Sequence, residues 1–136
     1  MNINSIGRLP KHACILNILL PLLAGLSVYI LLRPDSYVSL IVSGPLHITY
    51  PDTPPEMSHG ILRLINNFGP DICWSYSLTF AVYAALHDLR RPLLFTLSIA
   101  SAVIILVESL QAFGVLSGVF DPLDLVLETA AAITAA

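Results

Sequence analysis

The chain has 136 residues, 56% of them hydrophobic and 11% charged, with a formal net charge of −3 and a mean hydropathy of +0.81. A soluble domain carries charge on about a quarter of its residues, so this composition points to a membrane protein, one compact bundle too small to carry a separate soluble catalytic domain. The six Lys and Arg form no cluster, which excludes nucleic-acid binding as a function.

In chain order, the first apolar run, residues 13–32, follows Arg8, Lys11 and His12. It is about 30 Å long as a helix and fits one bilayer crossing. It exceeds a signal-peptide core and no A-x-A-like site follows it, so it reads as an uncleaved anchor, kinked at Pro21. Residues 33–70 form an outer loop rich in breakers (Pro34, Gly44, Pro45, Pro51, Pro54, Pro55). Toward its end Met57, Ile61, Leu64, Ile65 and Phe68 recur at three and four, predicting an amphipathic helix along the interface that Pro70 breaks before the second span. The second span is expected at 71–87, the third at 93–114 and the fourth at 119–136, giving an all-α membrane bundle of about four helices and one domain. Arg8 and Lys11 before the first span, and Arg90 and Arg91 between the second and third, place the N-terminus in the cytoplasm by the positive-inside rule. Trp74 and Tyr76 are assigned to the interfacial aromatic belt. Cys14 and Cys73, near opposite membrane faces, read as small apolar fillers.

The unusual feature is acid. Each ionisable group near the hydrocarbon centre costs about 2.5 to 3.5 kcal/mol on insertion scales, so intramembrane acids mark function by default. Glu108 and Gln111 share one face of the third span; Asp121, Asp124 and Glu128 share one face of the fourth, where Pro122 suits a first turn capped by Asp121. Counting from the turn between these helices sets Gln111 opposite Asp124 and Glu108 opposite Glu128, two carboxylates that call for a shared proton or a nearby cation. Asp71, Ser75 and Thr79 step by four on the second span, with Asp71 placed to cap it. Arg33 and Arg63 are the candidate counter-ions, Arg63 the preferred one as a polar lid. No HxxxH, HExxH or CxxC spacing supports a metal site, no cofactor is expected, and no serine elbow or oxyanion site points to an enzyme.

The E-x-x-Q pair of Glu108 and Gln111, a short glycine-containing turn, then F-D-x-x-D at Phe120, Asp121 and Asp124, together with Asp71 opening the second span, resembles the VanZ-like family of small bacterial membrane proteins. The resemblance covers mainly residues 70 to 130. It implies a multi-pass protein of the bacterial cytoplasmic membrane, linked at the cell envelope to low-level resistance against teicoplanin-type glycopeptides. An arginine common in the family's inter-helix turn is replaced here by Ser117-Gly118-Val119, which passes the charge balance to Arg63 or to a cation. The expected site is an acid-lined pocket near the outer leaflet that engages a cationic or amphiphilic envelope molecule. A proton- or cation-linked transport component, and an accessory subunit docking a membrane-protein partner through its alanine-rich last helix, remain open as alternatives.

Overall fold

A computed structural model of the chain describes residues 11–33, 60–116 and 121–136, together with 41, 44 and 45. The described residues form no strand, and their elements are α1 (Lys11–Leu32), α2 (Gly60–Leu86), α3 (Pro92–Ala112) and α4 (Pro122–Ala135). Two of these, α1 and α3, are long and apolar enough to cross a membrane, each with a mean hydropathy of 2.3. Their large side chains are mostly exposed, as at Leu16, Leu20, Leu23, Leu94, Ile105 and Leu106. Contiguous apolar surface on this scale is unstable in water and is matched by lipid.

The helix α2 is the hub. It packs against all three others, α3 and α4 also touch each other, and α1 rests on α2 alone among the described residues. Two faces of α2 serve these two sides. Pro70 and Cys73 face α1, where Gly25 lets the backbones approach: a β-carbon there would sit 3.1 Å from Cys73 Cβ and 3.5 Å from Pro70 Cα. Farther along the same antiparallel contact, the Tyr76 hydroxyl donates to Asn17 Oδ1 at 3.3 Å, and its ring stacks on Phe80 at 6.4 Å. Tyr76 thus belongs to the α1–α2 contact and not to an aromatic belt; Trp74, 58% exposed, is the outward one.

The second face of α2 meets α3 and α4. On α3 the buried positions Thr96, Ala100, Ile104 and Glu108 recur every fourth residue, one stripe along the helix. Ala100, Ile104 and Ala132 form the apolar core of this three-helix side, with Leu125 packed against it.

Two expectations are corrected. The separate interfacial helix and the break at Pro70 do not occur: α2 runs unbroken through Pro70, for 27 residues and about 40 Å. Residues 57–59 of the expected helix lie outside the described residues. Proline removes one backbone N–H and so orphans the carbonyl four residues earlier, here that of Asn66. The Arg33 guanidinium at the end of α1 supplies the missing donor, bonding the Asn66 carbonyl, Asn66 Oδ1 at 3.2 Å and the Asn67 carbonyl at 3.2 Å, while lying 5.2 Å from the Tyr29 ring centroid. The helix survives its proline because another helix completes its hydrogen bonding. The last helix, α4, begins at Pro122, inside the stretch expected at 119–136, and its 14 described residues extend about 21 Å.

Candidate functional site

The local structure that positions the acids begins at the turn after α3. Gly114 adopts φ of 68°, a left-handed conformation that costs glycine little, and its N–H donates to the Gln111 carbonyl at 2.9 Å. Residues 117–120, including Phe120 of the expected motif, lie outside the described residues. Asp121 then caps α4: its Oδ1 accepts from the Leu123 N–H at 2.9 Å, and Pro122 occupies the first turn, where its missing N–H costs nothing. With α4 started there, Asp124 and Glu128 fall on the face turned to α2 and α3.

Glu108 and Glu128 are buried, 4% and 8% exposed, whereas Asp71, Asp121 and Asp124 are half-buried. The five carboxylates form one electrostatic group drawn from three helices. Glu108 interacts with Asp124, Asp71 and Asp121, and Glu128 with Asp71, Glu108 and Asp124. Register is tied by Ser75, whose hydroxyl donates to the Glu128 carbonyl at 2.8 Å, so that α2 and α4 run side by side with Asp71 level with Asp124. Asp71 lies inside α2, eleven residues past its start at Gly60, so it does not cap a helix. Its position also lets it feel the charge of Arg33. Gln111 is half-buried, and its side chain makes no hydrogen bond among the described residues.

Arg63, the preferred counter-ion, is exposed on α2 and forms no ion pair among the described residues. Arg33 is the basic residue whose charge reaches Asp71 and Asp124, and it does so from the α1–α2 junction. Sequence reasoning named Arg33 but undervalued it, because its bonding partners are backbone carbonyls exposed by a proline far along the chain.

What the acids lack is hydrogen bonding. Glu108 Oε2, Asp124 Oδ1 and Glu128 Oε2 are buried and have no hydrogen-bond partner among the described residues. A buried carboxylate oxygen without a donor is costly, and the cost is relieved by a proton, a cation or a bridging water. No group of three His, Cys, Asp or Glu among the described residues converges closely enough to hold a metal ion. Among the described residues, two apolar grooves of about 230 and 370 Å³ flank the α1–α2 contact, between such residues as Leu22, Tyr29 and Trp74 on one side and Leu16, Leu20 and Ile72 on the other. The acids lie apart from these grooves, the glutamates buried and the aspartates half-buried.

Compared with protein-family models, with curated proteins and with solved structures, the chain matches none of them.

Proposed function

We propose that the chain is a multi-pass, VanZ-like protein of the bacterial cytoplasmic membrane whose carboxylate cluster engages a cationic or amphiphilic envelope molecule, and that this engagement lowers susceptibility to teicoplanin-type glycopeptides. The observation that carries the reading is the convergence of Asp71, Glu108, Asp124 and Glu128 from three helices, with an unbonded buried oxygen on each of the last three. Four carboxylates beside one guanidinium leave an excess of negative charge, which an ammonium group offsets while filling the empty acceptor positions. The half-buried aspartates provide the approach, and the buried glutamates the selectivity for a small charged head.

A membrane setting is supported by the exposed apolar faces of α1 and α3. Its proposed orientation, N-terminus in the cytoplasm, is supported by the antiparallel packing of α1 on α2, which puts Lys11 at the same end of the bundle as Arg90 and Arg91. The acids then lie toward the outer leaflet. On this reading α2 crosses the membrane as well, and α4 enters from the outer face.

The test is teicoplanin susceptibility of a sensitive host expressing the wild type, Glu108→Gln or Asp124→Asn at equal membrane levels. Protection by the wild type that both substitutions abolish supports the proposal; equal protection by all three removes the acids from it, and no protection by any removes the glycopeptide link.

A further inference from the structure

Hydroxyl groups in this fold fall into two sets. Ser27, Ser109, Thr129 and Thr134 donate to carbonyls three or four residues earlier in their own helices, at 2.6 to 2.8 Å, the usual resting place of a hydroxyl in an apolar setting. Ser77, Thr79 and Thr96, all at most 1% exposed, do not, and among the described residues their hydroxyl oxygens have no hydrogen-bond partner. Thr79 and Thr96 belong to the side of the bundle that holds the acids. Thr96 opens the buried stripe of α3 that continues through Ala100 and Ile104 to Glu108, and Thr79 follows Asp71 and Ser75 at steps of four on α2. Buried hydroxyls left unbonded between helices need water or an ion to complete them.

Their spacing fits water. Ser75 and Thr79 are about 6 Å apart along α2; Thr79 and Thr96 lie about 10.5 and 6 Å from the helix ends that meet at the α2–α3 turn, a difference of about 4.5 Å. Bridging waters, each making two hydrogen bonds of about 2.8 Å, link hydroxyls set at such depths on neighbouring helices. A hydroxyl both donates and accepts, so it can take a proton from one neighbour while passing another on. Cations are a poorer fit, since a hard ion demands about six oxygen ligands and this seam has one hydroxyl per step, squeezed by Ala100, Ile104 and Ala132.

We propose that the α2–α3–α4 interface carries a hydrated proton pathway from the carboxylate cluster through Ser75, Thr79 and Thr96 to the turn between α2 and α3, joining the two membrane faces. It rests on reading the carboxylates as a membrane site, and adds to it a connection through the half of the bundle that has no acid. At the far end the exposed turn carries the His87–Asp88 pair, 3.2 Å apart and open to water. For each proton that the cluster takes up, one leaves at the turn, so the protein moves charge without consuming any reagent.

The test is proton flux into liposomes holding the full chain and a pH-sensitive dye, driven by a potassium gradient with valinomycin to balance charge. Wild type should exceed empty liposomes, and Thr79→Val and Thr96→Val, which keep the side-chain shape, should each cut the flux about tenfold, as expected for losing one hydrogen bond from the rate-limiting step. Ser77→Ala is the control: Ser77 is equally buried and unbonded, but it lies four residues past Cys73 on the face toward α1. Its flux should be unchanged. Absence of wild-type flux, valine variants that conduct like the wild type, or an equal loss in Ser77→Ala overturns the pathway. Glycopeptide protection by the wild type alongside absent wild-type flux would refute the pathway while leaving the carboxylate site standing.

Discussion

Replacing Arg33 with alanine should loosen α1 from α2, and the size of the effect should depend on Pro70. The guanidinium serves three acceptors on Asn66 and Asn67 and lies on the Tyr29 ring. Bonds involving a charged partner contribute about 1.5 to 3 kcal/mol and an accessible cation–π contact about 0.5 to 1. Because Arg33 is only half-buried, the low end applies, and a total of about 2 to 3 kcal/mol corresponds to a shift of about 30- to 150-fold in the docking equilibrium. Cys73 reports it directly, since it lies against Gly25 in that contact. In a Cys14→Ser background in mild detergent, maleimide labelling of Cys73 should accelerate by that factor in Arg33→Ala. In Pro70→Ala the new N–H returns to the Asn66 carbonyl, so Arg33→Ala should then cost about 1 kcal/mol less. An Arg33→Ala effect of the same size with and without Pro70 would refute the claim that the arginine completes the hydrogen bonding of a proline-interrupted helix.

Gly25→Val should also undock α1, by about 1 to 3 kcal/mol, because side-chain atoms would occupy space already held by Cys73 and Pro70; the same labelling assay detects it. Ser75→Ala should lower thermal stability by about 1 kcal/mol through loss of its bond to the Glu128 carbonyl, whereas Thr79→Val should be neutral or stabilising, since it removes a buried hydroxyl that bonds no other described residue; thermal unfolding in detergent separates the two. Glu128→Leu should raise the unfolding temperature by the equivalent of about 1 to 3 kcal/mol while abolishing glycopeptide protection, because a buried carboxylate without a donor is retained at the expense of stability.

Much of the helical layout follows from local chemistry that is visible in the chain. The apolar runs locate α1 and α3 to within two residues, and the Asp-Pro pair at 121–122 marks the start of α4 because capping and the proline preference act within a single turn. Pro70 misleads for the opposite reason: whether a proline ends a helix depends on who satisfies the freed carbonyl, and here that donor is Arg33, on another helix. Tyr76 likewise looks interfacial until Asn17 is seen across from it. Counting down two antiparallel helices from their turn sets Glu108 opposite Glu128 and Gln111 opposite Asp124, and leaves out the influence of Asp124 on Glu108. The inclusion of Asp71 rests on the parallel register of α2 and α4, which Ser75 reveals and no spacing announces. The unbonded hydroxyls of Thr79 and Thr96 leave no mark in the sequence, where every serine and threonine looks alike and bonding to the preceding turn is the default.

Cross-linking tests the central claim, that carboxylates from separate helices converge on one site, most directly. In a chain lacking both native cysteines, Glu108→Cys with Asp124→Cys should be joined within the monomer by a short thiol-specific reagent, while Leu106→Cys with Val126→Cys, two exposed positions on the same helices, should not. Failure to join 108 to 124, or efficient joining of 106 to 126 instead, would contradict the account by showing that these helix faces do not meet.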